Sequence, residues 1–187
     1  MNAIFKFFFD ISGWKIEGNV PTHLSKAAFV VCPHNTWKDF FVGLGLRAKM
    51  GMNIGYIGKA ELFKPPFGFI FRWLGGTPAY RTSSNNMVDS YVAAIKSKDE
   101  MLFALAPEGT RKNVDKLRSG FYFMANGAQI PIVRVGFDLK RKVVVIGEPF
   151  IPSGDFEADM QKYFVNFFDK IQGPQKDWIK NYKAGKF

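Results

Sequence analysis

Two runs in the chain are apolar at consecutive positions, Ala27-Ala28-Phe29-Val30-Val31-Cys32 and Met101-Leu102-Phe103-Ala104-Leu105-Ala106, and a proline ends each. Strands that are apolar on both faces belong inside a sheet covered on both sides, as parallel sheets are. Weaker strand patterns cover residues 14–20, 53–57, 77–80, 130–135 and 142–146, the last two separated by a turn at Asp138 to Arg141. Helical spacing marks residues 37–50, where Gly43 and Gly45 either weaken the helix or mark a close contact. It also marks 67–74, closed by Gly75-Gly76, and a helix carrying Val88, Tyr91, Val92 and Ile95 after the capping residues Ser84-Asn85-Asn86. Residues 120–128 follow, and then 157–171, with Met160, Phe164, Phe167, Phe168 and Ile171 on one face. The Lys-rich tail turns helical from Lys176.

Strands alternate with helices from residue 27 to about 135, which predicts one α/β domain with a mostly parallel or mixed central sheet flanked by helices on both faces. A chain of 187 residues, 47% hydrophobic and 22% charged, is long and apolar enough for one such domain over 1–187. Within it, 1–26 reads as an N-terminal segment, 27–150 as the core and 151–187 as a C-terminal helical segment. Residues 1–14 carry Ile4, Phe5, Phe8, Phe9 and Ile11 near helical spacing, with Lys6 and Asp10 between them. They fit either a terminal helix packed on the core or a segment lying in a headgroup layer.

The net charge of +10 suits an anionic partner: a membrane surface, a nucleic acid, or an acidic substrate or carrier. With 21 Phe against 6 Tyr, the aromatic content favours apolar packing or lipid over base stacking, and no nucleic-acid motif is present. The single Cys32 excludes an intrachain disulfide and a cysteine-rich metal site, and two histidines leave little for zinc. No apolar run reaches the roughly 18–20 residues of a spanning helix, and the start lacks the pattern of a secretory leader.

The candidate chemistry begins where the first apolar run stops, at Pro33-His34-Asn35-Thr36-Trp37-Lys38-Asp39. Residues five apart lie about 140° from each other on a helix. His34 and Asp39 therefore meet only if His34 stays in the loop and the helix starts after it, with Asn35 or Thr36 as N-cap. Asp39 would then orient one imidazole nitrogen and leave the other to take a proton. The same spacing, Thr36-x-x-Asp39, fits a capping box in which Asp39 serves only the helix start. No Gly-x-Ser-x-Gly nucleophile elbow exists. Cys32 shares a strand face with His34 but sits in an apolar run, so a base here would act on a hydroxyl of the substrate. The second run ends in Pro107-Glu108-Gly109-Thr110-Arg111. If the two strands are parallel, both loops emerge at one sheet edge, where ligands of open α/β sheets gather. Arg111 then offers a fork for phosphate and Glu108 an acceptor for a substrate hydroxyl. Arg81 and Lys59 add charge after two other strands. By default Arg81 and Lys59 are more often solvated surface residues, and the 108–111 stretch alone is more often a polar turn.

These stretches resemble the motifs of the glycerolipid acyltransferases, typified by 1-acyl-glycerol-3-phosphate acyltransferase. His34-x4-Asp39 looks like the first motif. Gly75 to Arg81 looks like the motif that ends in a phosphate-contacting arginine. Glu108-Gly109-Thr110-Arg111 matches the third, and Ile130-Pro131-Ile132-Val133 looks like the fourth, apolar one. Lys59-x-Glu61-Leu62-Phe63 resembles a further recurring segment, and the likeness runs in order from about residue 30 to 150.

The resemblance implies an O-acyltransferase that uses acyl-CoA or acyl carrier protein as donor substrate, with no other cofactor and no metal. Its acceptor would be the free hydroxyl of lysophosphatidate in phospholipid synthesis. His34 would be the base and Asp39 its orienter, with no covalent enzyme intermediate. Lys59, Arg81, Glu108, Gly109, Thr110 and Arg111 would bind substrate, and Ile130 and Pro131 would help shape the acyl or acceptor pocket. Trp37 and Lys38 depart from the small residues usual in the first motif, which opens other acceptors, such as a lyso-aminolipid or a glycolipid. An inactive lipid-binding module and a thioester hydrolase using Cys32 are the readings outside this class. With few residues ahead of the first core strand, the expected attachment is peripheral, at the inner face of the cell membrane, through residues 1–14, 67–74 and the lysines.

Overall fold

The computed structural model describes residues 2–79, 84–173 and 176–187. In chain order the strands are β1 (Lys15–Glu17), β2 (Lys26–Cys32), β3 (Ile54–Lys59), β4 (Gly76–Ala79), β5 (Met101–Leu105), β6 (Ile132–Asp138) and β7 (Val143–Ile146). The helices are α1 (Asn2–Ile11), α2 (Lys38–Met50), α3 (Gly68–Trp73), α4 (Ser84–Lys96), α5 (Gly120–Ala128), α6 (Phe156–Asp159), α7 (Asn166–Phe168) and α8 (Asp177–Lys183). The strands form one mixed sheet in the order β1-β7-β6-β2-β5-β3-β4. β2 runs parallel to both its neighbours, β5 and β6, and β3 and β4 continue in the same direction. Among the strands of the described residues, only the β6–β7 pair is antiparallel. The carboxyl ends of β2, β3, β4 and β5 therefore share one edge.

The alternation of side chains along β2 divides two cores, as an all-apolar strand requires. Ala28, Val30 and Cys32 join Phe121, Tyr122, Phe164 and Trp178 on the face covered by α4, α5 and the C-terminal helices. Ala27 and Phe29 join Phe9, Leu46 and Phe137 on the face covered by α1 and α2. The expected helix over 157–171 is not uniform. A π-helical segment, Met160–Val165, separates α6 from α7. The wider turn buries Val165 along with Met160, Phe164 and Phe168, and leaves Phe167 and Ile171 only partly covered.

Of the two readings of the N-terminal segment, α1 realises the terminal helix packed on the core, through one face. Phe9 is buried against α2, whereas Ile4, Phe7, Phe8 and Ile11 face outward. The two helices are in close contact at Gly45, where an ideal Cβ would lie 2.8 Å from Phe9 Cβ and 3.3 Å from the Phe5 carbonyl. At Gly43 a Cβ would meet nothing within 4 Å.

The two glycines of α2 thus predict opposite effects. Gly43→Ala should raise stability by about 1 kcal/mol through helix propensity alone. Gly45→Ala carries the same gain but overpacks the α1 contact, at a cost of about 1–3 kcal/mol, and should lower the urea midpoint. Equal midpoint increases in the two variants would show that α1 does not pack here.

Candidate active site

β2 ends at Cys32 and α2 begins at Lys38, so His34 stands in the intervening loop at the carboxyl edge of the sheet. Its Nδ1 lies 3.1 Å from Asp39 Oδ2. The same oxygen accepts the backbone N–H groups of Asn35 (2.6 Å) and Thr36 (2.8 Å), and Oδ1 accepts the Thr36 hydroxyl (2.9 Å). The N-cap position is Trp37, whose side chain makes no capping bond. This corrects the expectation of Asn35 or Thr36 as the cap. Asp39 ties down the chain entering α2 and orients the imidazole at once, so the two sequence readings of this residue are one arrangement.

Asp39 is nearly sealed, with 3% of its side chain exposed, against 27% for His34. Burial pushes the Asp39 carboxyl up, but the bond from His34 and those from Thr36 and Asn35 outweigh it and hold it below its ordinary value. Among the described residues, His34 Nε2 has no hydrogen-bond partner, and it is the nitrogen left to accept a proton.

β5 ends one strand away, and its loop is locked to the first. Glu108 Oε2 accepts the His34 backbone N–H at 2.8 Å, and Oε1 accepts the Trp178 indole N–H at 3.1 Å. The ammonium of Lys176 lies 3.8 Å from Oε2, and the Glu108 side chain is 0% exposed. Burial pushes this carboxyl up, against the lowering effect of the His34 N–H, Lys176 and Trp178. Glu108 therefore faces the protein rather than a substrate hydroxyl, which corrects the role expected for it. Gly109 adopts a left-handed φ of 63°, and a Cβ there would strike the Arg118 side chain at 2.7 Å from Nε. Only glycine suits this turn. Thr110 Oγ1 accepts the Lys112 N–H at 3.2 Å, closing the loop behind it. The Arg111 side chain is exposed at the same edge.

Lys59 ends β3 on this edge and is exposed. Arg81 lies outside the described residues. Ile130 and Pro131 are elsewhere. They precede β6, and the Pro131 carbonyl accepts the N–H of Ala28, near the start of β2. Because β6 runs parallel to β2, this places them at the edge opposite His34, with Ile130 buried in the core. The resemblance marked an apolar segment but not its end of the sheet. Cys32 is 0% exposed, and burial, reinforced by Glu108, pushes its thiol well above the ordinary range. It is a core side chain, as the apolar run suggested.

Sequence reasoning missed Lys176 and Trp178. Their signal was the apolar face Trp178-Ile179-x-x-Tyr182 inside the basic tail, which marks α8 as a packed helix. Among the described residues, no group of three or more His, Cys, Asp or Glu side chains is placed to hold a metal ion.

The lowered Asp39 value has a pH signature. A depressed carboxyl contributes stability above its ordinary value of about 3.9 and loses it as pH falls through the lower folded value. Asp39→Asn should therefore cost about 1–3 kcal/mol at pH 7, with the gap from wild type closing in denaturation curves taken below about pH 3.9. A gap that stays constant into that range would mean that the ionised carboxylate is not its source.

The Acyltransferase family model matches residues 14–138, a span that contains both loops. Among solved structures, the chain is similar to the 1-acyl-sn-glycerophosphate (LPA) acyltransferase PlsC from Thermotoga maritima. The TM-score is 0.59 at 19% identity over 90% of this chain and 77% of that one, a likeness of fold. No curated protein matches. With two thirds of its length matched by one family model, the chain belongs to the Acyltransferase family.

Proposed function

We propose that the protein moves a fatty acyl chain from acyl-CoA or acyl carrier protein to the free hydroxyl of lysophosphatidate, in phospholipid synthesis. The observation that carries this reading is His34, held by Asp39 through Nδ1 with Nε2 open at the carboxyl edge of the sheet. Nε2 takes the proton of the acceptor hydroxyl as its oxygen attacks the thioester carbonyl. The C–S bond then breaks, and the proton passes to the departing thiolate. The buried, protonated thiol of Cys32 argues against a covalent enzyme intermediate and against a hydrolase built on that residue. The exposed side chain of Arg111, with Lys59 on the same edge, supplies positive charge for a phosphate, and Arg81 is assigned to it by motif order alone. Glu108 and Asp39 act from behind the loops. Acyltransfer to 1-acyl-sn-glycerophosphate belongs to the similar structure by its title, and it supports the choice of lysophosphatidate here.

Purified protein, acyl-CoA and lysophosphatidate, with free thiol followed, test the reading. Thiol release should require the acceptor, fall about 10²–10⁴-fold in His34→Ala and persist in Cys32→Ala. The exposed Trp37 and Lys38 beside the base make a lyso-aminolipid and a glycolipid the necessary parallel acceptors, and an acyl carrier protein the parallel donor. Acceptor-independent release would favour a hydrolase. No release with any acceptor, together with tight lipid binding, would favour a binding module.

The protein also meets its lipid, in this proposal, at the anionic inner face of the cell membrane. Among the described residues, no helix is long and apolar enough to cross a membrane. Phe67, Phe69, Ile70 and Trp73 around α3 are exposed, as are Trp37 and Phe41 at the start of α2. Ring contacts join the two sites, with Phe40 at 6.1 Å from Phe71 and 5.7 Å from Phe41. Exposed Lys38, Lys64 and Arg72 stand beside them. Aromatic side chains with adjacent cations suit a headgroup layer.

Replacing Phe69 and Trp73 by serine should weaken binding to anionic vesicles at least about tenfold, since each ring contributes about 1.5–3 kcal/mol when fully buried. Raising salt should weaken what remains. Equal binding to neutral and anionic vesicles, indifferent to salt, would remove the electrostatic part.

A further inference from the structure

We infer that Lys176 is a positioning residue for the acyl-transfer centre, its ammonium group clamping the His34 loop and the Arg111 loop to each other. The inference rests on the proposed role of His34. Lys176 precedes α8 and is 3% exposed. Lysine is almost never buried without partners. Here Nζ donates to the carbonyls of His34 (3.2 Å), Arg111 (3.1 Å) and Lys112 (3.3 Å). An ammonium has three donors, and all three are used, with the Glu108 carboxylate 3.8 Å away as counter-charge.

The acceptors point to a function beyond packing. One is the carbonyl of the base itself. His34 is gripped at its N–H by Glu108, at its C=O by Lys176 and at Nδ1 by Asp39, so its free Nε2 has a fixed place. The other two acceptors belong to the loop that carries Arg111. One cation thus sets the separation between the proton acceptor and the charge proposed for the phosphate. Acyl transfer is sensitive to that separation, because a displacement of about 1 Å can cost about 10²-fold in rate. The three carbonyls converge on one point from two loops, a geometry that suits a compact ammonium better than the planar fork of arginine.

α8 does not depend on this lysine for its seat. The Trp178 N–H donates to the Val114 carbonyl at 2.9 Å, the Tyr182 hydroxyl accepts the Leu117 N–H at 3.0 Å, and both rings are buried. Lys176→Met, which keeps the length of the stem and removes the charge, is therefore expected to fold.

The experiment compares wild type, Lys176→Met, Lys176→Arg and His34→Ala in the full chain, with circular dichroism confirming the fold. Lys176→Met should lower kcat about 10–10²-fold and raise KM for lysophosphatidate, with KM for acyl-CoA unchanged. Lys176→Arg, which restores charge, should recover part of kcat. A lower melting temperature with kcat and both KM values intact per folded molecule would overturn the proposal and leave Lys176 a purely structural residue. If Lys176→Met does not fold, Glu108→Gln with Lys176→Met removes the buried pair together and should show the same kinetic loss; intact kinetics there would overturn the proposal equally. If wild type itself transfers no acyl chain, the proposed function fails by that result alone. The two imidazole NMR signals then decide the clamp. The His34 signal should shift in Lys176→Met while that of His23 stays, and an unmoved His34 signal would refute the clamp.

Discussion

Burying a carboxylate is unfavourable unless hydrogen bonds or a cation replace its water, and this protein does so twice at one edge of its sheet. Asp39 and Glu108 stand just beyond the ends of β2 and β5, 4% and 3% exposed. Their surroundings move them in opposite directions. Asp39 collects four short contacts, from His34, two backbone N–H groups and the Thr36 hydroxyl, and its carboxyl is held below its ordinary value. Glu108 has fewer donors, and its burial prevails. Each carboxylate is nonetheless a tie. Asp39 binds the loop to the helix after it, and Glu108 binds the two loops to each other. Without them the loop after β2 would carry unpaired backbone donors at His34, Asn35 and Thr36, and His34 would have no fixed direction.

The burial of β2 and β5 inside one sheet follows from composition alone, and their parallel pairing is what the structure adds. A strand apolar on both faces has no solvent side, so both runs had to lie within a covered sheet, and their trailing loops had to share an edge if parallel. His34, Asp39 and Arg111 were legible for that reason. Asp39 was also legible as a cap, and spacing could not choose between the roles because one carboxylate performs both.

Long-range partners were not legible. Lys176 reaches a carbonyl 142 positions earlier in the chain, and in a basic tail it looks like a solvated charge. Glu108 looked like a free acceptor because nothing in its loop announces an indole from α8 and an ammonium from the residue before it. Ile130 and Pro131 were misplaced for a different reason: an apolar segment names a strand, but which of its ends faces the site depends on how β6 lies beside β2. Arg81 lies outside the described residues.

Helix α2 joins the chemistry to the surface from which a lipid would arrive. A helix turns about 100° per residue, so Trp37 and Phe41, four apart, share a face, and Asp39 lies roughly 160° from each. The structure follows this division. Trp37 and Phe41 are exposed with their rings edge to face at 5.6 Å, while Asp39 is buried beneath His34. Phe40, between them, packs on Tyr56 at 5.1 Å and so secures the helix to β3. The same turn of helix thus has one side that orients the base and another that offers aromatic surface. In the proposed reaction, an acceptor whose acyl chain lies against Trp37 and Phe41 brings its headgroup to the loop carrying His34. In that proposal the exposed pair Trp37-Lys38 would stand where the lipid passes to His34, and acceptor choice would be made there.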